Sequence, residues 1–238
     1  SAASDVYKRQ KDGTPFVWNN QSNPYDNRDP RMKYTIVCNE MKWPVDPVEI
    51  WEGGTNGLPL QNATTTGYYL KKYVNNTISF EAGSTVTKKQ HNWVLFRYGE
   101  ILLNYAEAMI NAFHDPNYKD AVYNMSAREA VNQIRGRTNI SLPGFPSDIT
   151  EKDFVKRLKN ERRVELAFEG HRFWDVRRWK ELGQTANIYG VKITKNNEVI
   201  SYEKFLLETR AVTDNMYFYP IPNTERFKNP NLGQNLGW

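Results

Sequence analysis

The chain has 238 residues, 39% hydrophobic and 13% aromatic, with a formal net charge of +5 and a pI near 9.1. That content excludes a disordered chain, and without a run of about 18 apolar residues no helix is expected to span a bilayer. Basic and acidic residues interleave and no nucleic-acid motif occurs, so no nucleic-acid partner is expected. Cys38 stands alone, which excludes an intrachain disulfide and a zinc cluster.

The first residues, Ser1 to Val6, have no basic or apolar leader pattern, and residues 1–14 read as a non-native or disordered leader. Residues 11–90 are rich in Asn, Gly, Pro, Thr and aromatics, and no helical period lasts there. Tyr34–Val37 and Gly67–Val74 read as strands, punctuated by turns at Asn23-Pro24, Asp29-Pro30 and Gly53-Gly54. Asp26-Asn27-Arg28-Asp29 lacks the spacing of a calcium loop, and a turn held by Arg28 and Arg31 is the expectation. Five Asn-x-Ser/Thr sequons, at Asn20, Asn62, Asn75, Asn124 and Asn139, read as chance in an Asn-rich chain.

The character changes at Trp93. Leu95, Tyr98, Leu102, Ala106, Met109 and Phe113 form a helical stripe, ended at Asp115-Pro116-Asn117. Gly99 and Ala106 are small enough to admit a close neighbour. Ser126 and Glu129 make a capping box for a second helix through Ala130, Val131 and Ile134. The pair predicts a helical hairpin of tetratricopeptide type. Thr150, with Asp153 at the third position, caps a further helix expected to run to Gly170 and restart through Trp179. Met216–Pro222 is expected to be extended, because its prolines oppose helix, and the end from Asn229 to be coil.

Glu161–Trp179 is the most charged stretch, yet Phe168, Phe173, Trp174 and Trp179 thread through it. Phe154, Leu158, Glu161, Glu165, Phe168 and Arg172 recur at steps of three and four, on one helical face. The enzymatic reading is a glycosidase pair of Glu161 and Glu165. Arg162, Arg163 and Arg172 are near in sequence and would keep both ionised, which favours a self-neutralising ion-pair network instead. No Gly-x-Ser-x-Gly, His-Glu-x-x-His, P-loop or Gly-x-Gly-x-x-Gly motif occurs, and His91, His114 and His171 are scattered.

The functional signal lies in residues 16–69. Trp18, Tyr25, Tyr34, Trp43, Trp51, Tyr68 and Tyr69 sit among Asn19, Asn20, Asn56, Gln61 and Asn62. Flat rings beside amides suit the apolar faces and polar rim of a sugar. Trp43, Trp51, Tyr68, Asn56 and Asn62 are the candidate ligand-binding residues; the competing role for each Trp is to anchor its loop onto the helices. No catalytic residue, metal or organic cofactor is expected.

Asp26–Arg31, Thr66–Tyr73, Phe96–Ala108, Glu161–Trp179, Pro220-Ile221-Pro222 and Asn229-Pro230 to Trp238, in this order, resemble the C-terminal half of the SusD/RagB family. The resemblance covers roughly residues 15–238. It implies a mainly α, tetratricopeptide-like scaffold with long irregular loops and a few short strands. Within it, 15–92 would be a loop-rich aromatic region, 93–182 the helical core and 183–238 an extended tail. It further implies a non-catalytic protein that binds oligosaccharide at the cell outer membrane for a SusC-type TonB-dependent transporter. Family members are surface-exposed lipoproteins of Bacteroidetes. Their signal, lipid-bearing Cys and N-terminal half have no counterpart here, and Cys38 lacks the apolar leader of a lipid site. A peptide-binding, RagB-like role is the alternative, and a glycoside hydrolase a distant one.

Overall fold

The computed structural model describes residues 16–18, 23–78 and 87–238. The expected leader at 1–14, and Asn19 and Asn20, lie outside the described residues. The elements run α1 (Met32–Thr35), β1 (Ile36–Val37), β2 (Tyr69–Leu70), α2 (Tyr98–Phe113), α3 (Ala127–Arg135), α4 (Glu151–Glu165), α5 (His171–Arg178), β3 (Asn187–Asn196), β4 (Val199–Thr209) and α6 (Asn223–Lys228). Short 3-10 turns at Leu182–Thr185 and Asp214–Tyr217 join the later ones.

The helical core forms where the apolar period is cleanest. Leu102, Leu103, Ala106, Met109 and Ile110 of α2 pack on Ala127, Ala130, Val131 and Ile134 of α3 and on Phe154 and Leu158 of α4. Ser126 Oγ accepts from the Glu129 N–H at 3.2 Å while Glu129 Oε2 accepts from the Ser126 N–H at 2.8 Å, completing the expected capping box. Thr150 Oγ1 caps α4 by accepting from the Asp153 N–H. His114, at φ +58, closes α2 just before Asp115, as the sequence suggested.

Two helical boundaries differ from the sequence reading, and two short helices were not expected: α1, which takes in Tyr34 and Thr35 of a stretch read as strand, and α6. Helix α2 starts at Tyr98 rather than near Trp93, and Leu95 is 73% exposed. Arg97 is extended and turns its guanidinium across to α4. Helix α4 stops at Glu165, not Gly170. Carbonyls at its end and just past it are claimed from outside: Arg97 Nη2 donates to Glu165 O at 2.6 Å and Lys72 Nζ to Ala167 O at 2.9 Å. Phe168 at φ +62 and Gly170 at φ +82 then turn the chain out of the helix. In consequence Phe168, placed on the buried face by periodicity, is 38% exposed. In the tail, α6 begins immediately after Pro222, whose carbonyl starts the helix by accepting from the Glu225 and Arg226 N–H groups.

The largest addition is the hairpin β3–β4, which the sequence reading left inside an extended tail. Its register pairs Val191 with Lys204, Ile193 with Tyr202 and Lys195 with Ile200. Val191, Ile193 and Tyr202 join Val37, Val48 and Ile50 in a second core, separate from the helical one. Gly67, at φ +79, is where the loop region meets this hairpin: a β-carbon there would stand 2.5 Å from Val191 O. The neighbouring Val191 N–H donates to Thr66 O at 3.0 Å.

Candidate functional site

Loops 39–67 lie across the β3–β4 hairpin. Asn39 Oδ1 accepts from the Ile50 N–H at 2.8 Å, and Asn39 Nδ2 donates to Tyr202 Oη at 3.3 Å, fixing the base of the first loop. Glu40–Val48 then folds back on itself: the Glu40 N–H donates to Val48 O, the Val48 N–H to Met41 O and the Trp43 N–H to Asp46 O. Trp43 stands near the tip of that turn. Trp51 follows at the start of a tight loop in which the Gly53 N–H donates to Leu58 O and the Asn56 N–H to Glu49 O. Both rings are half-buried and pack on the same Val48–Ile50–Val191–Ile193–Tyr202 cluster.

Trp43 and Trp51 thereby rest on one apolar cluster, and each anchors its loop while remaining partly exposed. Asn56 is exposed, and its Oδ1 accepts from the Glu49 N–H and from Thr55 Oγ1. Asn62 is an exposed turn residue at φ +67. Tyr68 is turned the other way. Its ring packs between the loop core and the Met32–Ile36–Cys38 cluster, edge-on to Tyr25 at 6.0 Å, and burial raises its phenol well above the usual range. Tyr69, one residue on and so on the opposite side of the strand, serves the loop: it accepts from the Thr64 N–H and donates to Asn56 O at 2.6 Å.

A cavity of about 300 Å³ opens between this loop and the hairpin, lined among others by Leu58, Thr64, Thr65 and Phe205, with Glu52 and Lys192 also on its wall. Its size reaches the lower end of ligand pockets. Phe205 lies over Gly190, whose missing side chain makes room for the ring. Phe205 and the hairpin lysines were missed in the sequence. The alternation of Tyr189, Val191 and Ile193, with Asn196-Asn197 as turn and Ile200 and Tyr202 beyond it, was the available sign.

The charged stretch resolves differently. Glu161 accepts from Arg31 Nη1 and Arg135 Nη1, each at 2.6 Å. Glu165 accepts from Arg31 Nη1 at 3.0 Å, Arg97 Nη1 at 2.6 Å and Arg137 Nη2 at 2.8 Å. Glu169 takes Arg97 and Lys72. Asp29 orients Arg31 with both carboxylate oxygens, the turn expected there, whereas Arg28 lies against the Phe16 ring instead. The partners of the two glutamates are thus not Arg162, Arg163 or Arg172. Arg162 serves Asp175 and Asn104, and Arg172 reaches Gln184. Burial raises the Glu165 carboxyl, but Arg31, Arg97 and Arg137 outweigh it and bring it down to about 2. A carboxyl held there cannot serve as a general acid near neutral pH. Gly99 is part of this lattice: a β-carbon would sit 2.7 Å from Arg97 Nη1 and 3.2 Å from Glu165 Oε1.

His114 stands 2.7 Å from Glu151 at the surface, His171 3.6 Å from Glu100, and His91 lies edge-on to Tyr73. Among the described residues no cluster of His, Cys, Asp and Glu is placed to hold a metal ion, and no helix is long and apolar enough to cross a membrane.

A helical hairpin scaffold braced by buried ion pairs, with aromatic loops and a β-hairpin laid beside it, defines a mainly α, tetratricopeptide-like protein. The SusD family profile matches residues 7–238, and the chain belongs to that family. It is similar to SusD-like protein P2 of Formosa agariphila, 29% identical over 159 residues, which is 65% of this chain and 27% of the relative. SusD-like protein P38 of the same organism is 30% identical over 151 residues, 61% of this chain and 24% of its own. A SusD-like protein of Bacteroides fragilis superposes with a TM-score of 0.79 at 26% identity, over 99% of this chain and 46% of that one. A SusD-like carbohydrate binding protein of the same species gives 0.69 at 26% identity, over 97% and 47%. The chain therefore spans about a quarter of the curated relatives and just under half of the solved ones.

Proposed function

We propose that this chain binds an extracellular oligosaccharide without chemically altering it, at the outer membrane, for delivery to a SusC-type TonB-dependent transporter. The observation that carries the reading is the pair of half-exposed rings, Trp43 and Trp51, seated on one apolar cluster beside the cavity bounded by Phe205 and the threonines. Rings fixed from below lose little freedom when a sugar stacks on them, and nearby amides and hydroxyls can address its rim. The SusD-like carbohydrate binding protein of Bacteroides fragilis supports the ligand class. Glu161 and Glu165, the pair best placed by sequence for hydrolysis, are each held by arginines, which supports a non-catalytic role. Surface display as a lipoprotein and the transporter partnership follow from family membership and are part of the proposal.

The test is a glycan array probed with the wild-type chain and with Trp43→Ala and Trp51→Ala. Binding that is lost in either variant at an unchanged melting temperature supports the reading. Binding to peptides and to no glycan overturns it in favour of a RagB-like role, and a glycan cleaved on incubation overturns its non-catalytic part.

A further inference from the structure

We infer that the sugar taken into the cavity carries an acetamido substituent, as an N-acetylated amino sugar does. The inference rests on the glycan reading above and names the class of sugar read there.

One wall of the cavity is a short open piece of strand edge. The Val191 N–H and the Ile193 C=O both turn away from β4, the first donating to Thr66 O and the second accepting from the Glu52 N–H, each at 3.0 Å. In an antiparallel strand the N–H and C=O of one residue point to the same side. The Val191 C=O and the Ile193 N–H therefore face the same way, between the two ties. Val191 and Ile193 are 4% and 3% exposed, and among the described residues neither of these two groups has a partner. The Thr66 N–H, which would complete the pair with Val191, donates to Thr64 Oγ1 instead. Gly67 keeps the carbonyl uncovered, since a β-carbon there would stand 2.5 Å from Val191 O. Buried backbone groups are nearly always paired. A bare acceptor and a bare donor side by side on a cavity wall thus call for a guest that donates to one and accepts from the other.

The opposite demand comes from Ile50, Leu58 and Phe205, which make much of the remaining wall apolar. Glu52 and Lys192, both mostly exposed, face each other at 3.9 Å and offer the guest no net charge. The cavity therefore suits a neutral body with a donor, an acceptor and an apolar group. A plain hexose meets the backbone groups with adjacent hydroxyls, but it sets a further hydroxyl against the apolar wall, which costs that group its hydrogen bonds to water. In an acetamido sugar the amide N–H donates to Val191 O, the neighbouring ring hydroxyl accepts from the Ile193 N–H, and the methyl is left for Leu58 and Phe205. An extended peptide pairs through successive residues along an edge. Here the edge is open for one C=O and one N–H, and Thr66 and Glu52 close it on either side. Val191 and Ile193 also belong to the cluster on which Trp43 and Trp51 rest, which ties this wall to the ring site.

The experiment titrates the 238-residue chain with pairs of oligosaccharides matched in length and linkage, differing only in whether the second ring carbon bears an acetamido group or a hydroxyl. Calorimetry gives the affinities and NMR follows the backbone amides. The acetamido member of a bound pair should bind about tenfold tighter, for one buried methyl and one added hydrogen bond. It should also shift the Ile193 amide resonance and slow its exchange with solvent. Leu58→Ala, at a half-exposed residue, should bring the two members within about twofold at an unchanged melting temperature. Equal affinities within every pair, or tighter binding of the hydroxyl members, overturn the inference and leave the glycan reading standing. An acetamido preference that leaves the Ile193 amide unmoved, or that survives Leu58→Ala in full, places the substituent elsewhere and overturns it as well. Failure of every glycan, whether or not peptides bind, overturns the glycan reading itself.

Discussion

Replacing Glu165 by Gln keeps the shape of the side chain and removes its charge from beneath three guanidinium groups. The residue is 6% exposed, with Arg31, Arg97 and Arg137 at 2.6 to 3.0 Å. The fall of its carboxyl from the usual 4.5 to about 2 corresponds to about 3 kcal/mol of stability at neutral pH. Removal of one partner from a buried ion pair costs about 3–5 kcal/mol by an independent route. The two figures agree, so about 3 kcal/mol is the working value, and in a chain of this size that lowers the melting temperature by about 6 to 12 °C. The sign with pH follows from the direction of the shift. Because the folded carboxyl is depressed, its contribution is complete above the unfolded value near 4.3 and is lost as pH falls toward about 2. Circular-dichroism melts of wild type and Glu165→Gln at pH 7 and at pH 2.5 should therefore show a wide gap that narrows sharply in acid. Glu225→Gln, which breaks only the exposed pair with Lys228, should move the midpoint by no more than about 2 °C. A Glu165→Gln midpoint within about 2 °C of wild type at pH 7, or a gap just as wide at pH 2.5, would refute the claim that this lattice stabilises the fold through its charge.

Two further substitutions probe the two cores separately. Phe154 is fully buried, edge-on to Phe145 at 5.8 Å, and Phe154→Ala should cost about 3–5 kcal/mol in chemical denaturation with no change in glycan binding beyond the unfolded fraction. Gly67→Ala forces a side chain onto a φ of +79 and against Val191 O. It should cost about 1–3 kcal/mol and speed amide exchange at Val191, whose N–H donates to Thr66 O; exchange as slow as in wild type would show that the loop and hairpin are not joined there.

What could be read from the sequence was whatever its causes keep local. The Ser126–Glu129 box, the Thr150 cap and the α2 stripe each depend on residues three or four apart, and all are present. The start of α2 and the end of α4 were misplaced for one shared reason. Arg97 leaves the helical path to reach a carboxylate and a carbonyl 68 residues away, a contact no window of sequence contains. The ion-pair lattice has the same property. Its existence followed from the need of buried glutamates for partners, but Arg31 lies 130 and 134 residues from the glutamates it serves, so neighbouring arginines were credited instead.

The loop site divides along the same line. Trp43 and Trp51 could be nominated as candidates because a large ring beside a turn is conspicuous in any composition. Their lysines were not: Lys195 reaches Trp51 only because β3 folds against the loop through Val191 and Ile193, and that strand went unrecognised. The stretch that looked most like an active site is, in contact terms, the most self-satisfied part of the molecule, with nearly every carboxylate answered by an arginine. The loop face looked neutral and aromatic in sequence, and the hairpin then sets lysines beside its rings, Lys195 over Trp51 and Lys204 over Tyr189. Charge density along the chain therefore pointed at the scaffold, because a buried carboxylate must be given its arginine wherever in the sequence that arginine stands.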